Sequence, residues 1–262
     1  MKQFFFFVFL ILFSTSSVLA GEDVRRSLEQ NFFQANRLYF EGQYLESLNA
    51  YKAVLEEPQF KSFCRIGGDL FYNMGNCHYR LGNLGYAILY YERAKIFMPR
   101  DADLKFNLEY LQDKIKDEIA YKAGIIDSVF FWVKALTLNE LIIIFSIINF
   151  LFFFIVSLRF FYKTESIYYF FIFLLTVWLV SSASLGVKFF RIYCDQRVVV
   201  VNHEVEALAG PDKKDTLLFK LHEGAIVSFE RSESDFSLIR LPDGRRGWLA
   251  SSSVKFIVPD NS

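Results

Sequence analysis

Apolar residues in this chain recur with helical spacing from about residue 31 to residue 119, run unbroken twice between residues 141 and 187, and alternate with polar residues from 197 onward. A period near 3.6 predicts amphipathic helices, an unbroken run of about 18 or more predicts a membrane-spanning helix, and alternation predicts strands with one buried face. The expected fold is therefore multidomain: an all-α unit, a two-helix transmembrane hairpin and a small all-β barrel.

Within the helical part, Phe71, Met74, Gly75 and His78 share a face, Gly82 marks a turn, and Ala87, Tyr91 and Ala94 continue the pattern to Pro99. Small residues at 75 and 87 let two antiparallel helices cross closely while larger neighbours fill the space beside them. An earlier copy lies 40 residues upstream, where Ala35, Gly42, Ser47 and Tyr51 align with Gly75, Gly82, Ala87 and Tyr91. Asn31 and Gln34 stand in it where apolar residues are expected, and "QFKSFCRIGGD" holds the residues that lengthen the period. After Asp101 and Asp103, which suit a helix start, Leu104, Leu108, Leu111, Ile115 and Ile119 line one face of a capping helix.

Leu141–Leu158 and Ser166–Val187 carry no charge and are separated by "RFFYKTE", so the spans are expected at 138–162 and 166–190. Thr137-Leu-Asn-Glu140 is a capping-box pattern at the start of the first. Ser182 and Gly186, four residues apart, offer a close approach between the two helices. In 123–137, Ile126, Val129, Phe130, Val133 and Leu136 share a face beside Trp132, which predicts a helix lying in the membrane interface or, alternatively, one more packed helix. The first 20 residues combine Lys2, an apolar run from Phe4 to Phe13 and Val18-Leu19-Ala20, a signal-peptide pattern with cleavage after Ala20; the alternative is an uncleaved anchor. Two spans return the chain to its starting side, so both soluble parts are expected outside the cytoplasm.

From 197 to 258, short alternating runs with turns at Gly210-Pro211, Glu223-Gly224 and Pro242-Asp243-Gly244 predict a five-stranded barrel. Trp248 is either part of its core or a ligand platform.

Composition narrows the function. Twenty-nine basic and 29 acidic side chains leave no net charge and no nucleic-acid footprint, while 53% hydrophobic content with 32 Phe fits a lipid-embedded chain. Cys64, Cys77 and Cys194 give no expectation of a structural disulfide, and Cys77 suits a small residue packed inside a helix pair. His78, His203 and His222 lie in three different predicted elements without metal-ligand spacing, and no phosphate loop, nucleophile elbow or dinucleotide fingerprint is present. No enzyme and no cofactor is expected.

The pattern of residues 71–99 resembles a tetratricopeptide repeat, so residues 21–122 resemble two such repeats with a capping helix. Leu221, Gly224, Val227 and then Asp243, Gly244, Gly247, Trp248 and Leu249 resemble a bacterial SH3 domain; the acidic-aromatic loop of the polyproline-binding members is missing. The order of parts resembles the E-type tetratricopeptide membrane proteins of Bat (aerotolerance) operons. That resemblance implies an inner-membrane adaptor in envelope integrity or oxidative-stress tolerance, acting with von Willebrand factor A-domain membrane proteins, a MoxR-type ATPase and other products of such operons. The alternative is a sensor whose SH3-like barrel binds peptidoglycan or a peptide. In a repeat array the first helix of each repeat lines a groove, and alignment on Gly42 and Gly82 places Phe32, Asn36, Tyr39 and Phe40 beside Tyr72, Asn76, Tyr79 and Arg80 there. Asn side chains and Arg80 would bond a partner's extended backbone or terminus, with the aromatics as anchors. The bland alternative is that the tyrosines only cover the capping helix or rest on the membrane.

Overall fold

The computed structural model describes residues 26–57, 64–117, 125–162 and 164–258. The signal-peptide reading, Lys163 and Ile119 fall outside them. Helix α1 covers 26–40, followed by α2 (Tyr44–Glu56), α3 (Cys64–Arg80), α4 (Leu84–Phe97), α5 (Ala102–Gln112), α6 (Ile125–Val129), α7 (Phe131–Ala135), α8 (Leu138–Phe161) and α9 (Glu165–Tyr193). The strands are β1 (Arg197–Val200), β2 (Glu204–Leu208), β3 (Leu217–His222), β4 (Ile226–Glu233), β5 (Phe236–Arg240), β6 (Arg246–Ala250) and β7 (Val254–Phe256).

α1–α2 and α3–α4 are two helical hairpins closed by the same turn. Gly42 and Gly82 sit at φ 81° and 80°, and each turn pairs a bond from the glycine N–H to the carbonyl three residues back with one from the next N–H to the carbonyl five back. This Schellman arrangement needs a left-handed residue, which glycine adopts without penalty. Inside the second hairpin a Cβ on Gly75 would lie 2.5 Å from the Tyr91 ring, the close crossing the sequence implies. Asn73 of α3 donates to Asn36 of α1 at 3.0 Å, and Asn107 of α5 donates to Tyr72 of α3 at 3.0 Å. Thus α1, α3 and α5 form one layer, with α2 and α4 behind it. Asp101 caps α5 by accepting from the Leu104 N–H at 2.8 Å. Gly67 and Gly68, from the stretch that lengthens the period, lie within α3.

α8 and α9, 24 and 29 residues, are long and apolar enough to cross a bilayer; at 1.5 Å per residue they reach about 36 and 43 Å. Thr137 and Glu140 form the expected capping box. The helices are joined by Phe152, whose ring lies 5.3 Å from Trp178 and 5.9 Å from Phe171, and by a Trp178 Nε1–H donated to Asn149 at 3.1 Å. The expected close approach at Gly186 is not found, since a Cβ there would meet nothing within 4 Å; bulky aromatic stacking holds the pair instead. The segment read as one interfacial helix is two short ones, broken at Phe130 with φ −107° and ψ 43°. Val133 is buried, and Trp132 donates to Ser184 of α9 at 3.2 Å.

The β unit corrects the expected five strands to seven, in the order β3-β2-β6-β5-β4-β1-β7, with antiparallel pairing throughout. One of the two extra divisions falls at Asn202-His203, between β1 and β2, where the chain turns without the glycine or proline that would mark it. Residues of both edge strands, Leu221 and Val254, share one core with Val198, Val227, Ile239 and Leu249, so the sheet curls on itself.

The helices and the sheet also share a core. Val199, Val201 and Ile257 pack in the same cluster as Ile88, Tyr91 and Leu104. A Cβ on Gly85 would lie 2.6 Å from the Val200 carbonyl, so α4 rests directly on the sheet backbone. Arg93 donates Nε to the Ile257 carbonyl at 3.0 Å and Nη2 to that of Phe256 at 2.9 Å. Arg197 lies 3.6 Å from buried Glu92. Asp117 accepts from the His222 backbone N–H at 2.6 Å and lies 3.0 Å from its ring Nδ1. The chain segments before and after α8 and α9 are therefore one packed body.

Candidate functional site

The eight residues aligned on the first helix of each hairpin divide into two groups. Those nearer the helix starts face inward. Asn36 accepts from the Tyr51 hydroxyl, and Asn76 accepts from Tyr91 at 2.6 Å. Phe32 packs on Tyr51 at 5.8 Å between ring centres and Tyr72 on Tyr91 at 5.7 Å. Burial pushes the Tyr51 and Tyr91 hydroxyls far up, desolvation being the largest cause in each, so both are neutral donors that need an acceptor. The two Asn side chains, expected to bind a partner's backbone, are the acceptors inside the hairpins. At these positions the face packs its own hairpins.

Of the four residues nearer the helix ends, Phe40 and Arg80 are exposed, and Tyr39 and Tyr79 are half-buried against the core. Phe40 is 85% exposed, and its ring meets Tyr39 edge-on at 6.0 Å. Tyr39 packs on Tyr44 at 5.3 Å, with the Arg80 guanidinium 5.9 Å from the Tyr44 ring. Tyr79 lies 3.5 Å, hydroxyl to hydroxyl, from Tyr110 of α5, and Lys114 stands 4.4 Å from the Tyr110 ring. The hydrogen bond to Lys114 lowers the Tyr110 hydroxyl and raises the ammonium, while the bond to Tyr39 raises Arg80. Both cations rest on aromatic faces, an arrangement that leaves their charge available to an anion. Phe106 stacks on Tyr110 at 6.4 Å and is itself exposed.

Sequence reasoning missed Tyr44, Phe106, Tyr110 and Lys114. The signal was present: Phe106 and Tyr110 are four apart, on the face of α5 opposite its buried stripe of Leu104, Leu108 and Leu111.

Trp248 is 6% exposed and packs with Leu208, Phe236 and Leu238 under the Arg231 guanidinium, 5.4 Å from its ring. This is the packing role. The histidines are not brought together: His78 is sandwiched between Tyr86 and Tyr90 at 5.0 and 5.2 Å, His203 lies 2.9 Å from Glu223, and His222 contacts Asp117. Burial, helped by Lys52, lowers His78 to about 4. Among the described residues no three His, Cys, Asp or Glu side chains cluster as a metal site. Cys77 is a buried free thiol, its sulfur 3.5 Å from Ser47 Oγ, and Cys194 is exposed and free. No protein-family model matches the chain, and no curated protein matches it.

Proposed function

We propose that this chain is a non-enzymatic adaptor, anchored in a bacterial inner membrane by α8 and α9, that holds an extended segment of a partner protein against the α1–α3–α5 layer. The hairpins are read as tetratricopeptide repeats and the sheet as an SH3-like domain, in a Bat-type complex with von Willebrand factor A-domain partners. Packing of the helical unit on the sheet supports placing both on one side of the membrane, and the leader sequence supports the side outside the cytoplasm.

One observation carries the reading: Phe40, Tyr39, Tyr79, Phe106 and Tyr110 present aromatic surface beside Arg80 and Lys114, neither of which is held by a carboxylate among the described residues. Rigid aromatics next to an accessible guanidinium are the residue types that dominate protein-binding energetics. The alternative, a cell-wall sensor, would need a binding surface on the barrel other than the buried Trp248.

The test is co-purification from native membranes with Phe40→Ser, Arg80→Ala and Lys114→Ala combined. Partner recovery should fall by at least about tenfold, while abundance and melting stay as in the parent. Unchanged recovery would move the partner site off this layer.

A further inference from the structure

The membrane hairpin holds a second candidate site. A cavity of about 460 Å³ lies between α7, α8 and α9, lined by Trp132, Leu136, Leu141, Ile148 and the α9 stripe Thr176, Val180 and Ser184. The hydroxyls on this wall do not make it polar. Thr176 donates to the Ile172 carbonyl, Ser181 to Trp178 and Ser184 to Val180, each returning its proton to its own helix. The stripe rises about 12 Å from Thr176 to Ser184, and the next residue on it, about 6 Å higher, is Lys188.

Lys188 is buried and donates to the Val133 carbonyl of α7 at 3.3 Å, which pins α7 as a roof over the cavity. The charged side chains on the elements at this rim are Lys134 on α7, Glu140 on α8, and Lys188 and Arg191 on α9. Arg100 reaches across from the α4–α5 turn to pair with Glu140. Lys188 thus stands above an apolar hole at the depth of lipid tails.

We infer that this cavity binds one acyl chain of an anionic phospholipid, from the leaflet on the side of the soluble body, with the headgroup under the field of Lys188 and its basic neighbours. The walls favour a lipid chain over a partner's transmembrane helix: each wall hydroxyl donates within its own helix, leaving little polar surface to bond a second helix. A single chain fits the 300–1,000 Å³ range of ligand cavities.

The full chain is reconstituted in vesicles of equal phosphatidylglycerol and phosphatidylcholine, extracted in mild detergent and weighed by native mass spectrometry. The expected result is one retained phosphatidylglycerol per chain. Val180→Trp, which fills the cavity, should abolish retention; Ser181→Leu, a smaller intrusion, should weaken it if the larger variant fails to fold. Lys188→Gln should reduce the preference for phosphatidylglycerol by about tenfold, and Lys188→Arg should keep it. Retention equal in all variants, or a peptide segment in place of lipid, overturns the inference. The inference rests on α8 and α9 crossing the bilayer: a chain released by alkaline carbonate fails that reading, whereas one that resists carbonate yet carries no lipid fails this inference alone.

Discussion

The outer helices of the two hairpins, α2 and α4, occupy equivalent places and meet opposite surroundings. Each carries the tyrosine that bonds an Asn of its partner helix, Tyr51 to Asn36 and Tyr91 to Asn76. The far side of α2 faces outward, with Leu45 55% exposed. At the equivalent position of α4 stands Gly85, pressed against the Val200 carbonyl. Exposed Ala53 corresponds to Arg93, which donates to two carbonyls at the end of the sheet. A repeated element has kept its inner face and changed its outer one from solvent-facing to sheet-binding. The inner face makes the hairpin; the outer face determines what the hairpin is attached to.

The largest test is at the shared tyrosines. Tyr51→Ala and Tyr91→Ala should each cost roughly 3 to 5 kcal/mol, with Tyr91 at the upper end because the sheet encloses its hairpin and limits collapse of the cavity. Thermal melting in detergent measures both, and a larger cost at Tyr51 would reverse the comparison.

Acid should separate the hairpins next. His78 titrates at about 4 in the folded chain and near 6.5 unfolded. A depressed histidine means that the unfolded state binds the proton first. Stability is therefore full above pH 6.5 and falls as pH drops toward 4, by up to about 3 kcal/mol. The first hairpin has Leu38 at that position, and His78→Leu should remove this part of the acid sensitivity. An acid limb unaltered in that variant would assign it to other groups.

Gly85→Leu, which installs the α2 residue on α4, should cost about 1 to 3 kcal/mol by overpacking and raise amide exchange in β1 and β7 while leaving α1 and α2 protected. The smallest effect belongs to the converse change: Leu45→Gly should cost about 1 kcal/mol through helix propensity alone. If it cost as much as Gly85→Leu, α2 would also have a covered outer face.

Much of this architecture was legible because it is local. The glycine turns, the Asp101 cap and the Thr137–Glu140 box are set by residues within five positions of one another. The docking of α4 on the sheet was half legible: "LGYAILYYERAKIF" is apolar nearly all round, which marks a helix covered on two sides. Which partner covers it could not be read, because Arg93 and Ile257 are 164 positions apart. The groove was misassigned in part for a related reason. Repeat alignment gives helix face, but whether an Asn carbonyl looks outward depends on a tyrosine fifteen residues later. That spacing recurs in both copies and is the clue that was overlooked. At the sheet, the Asn202-His203 corner carries ordinary polar residues, so two strands read as one.

The reach from Arg93 to Ile257 also acts as a clock during synthesis. A ribosome adding 5 to 20 residues per second takes roughly 8 to 30 s to cover those 164 positions. Throughout that interval the outer side of α4 is complete but uncovered, while the α8–α9 hairpin is still being made. The nascent chain therefore carries an exposed apolar helix through that window, and a chaperone has that long, and no longer, in which to shield it.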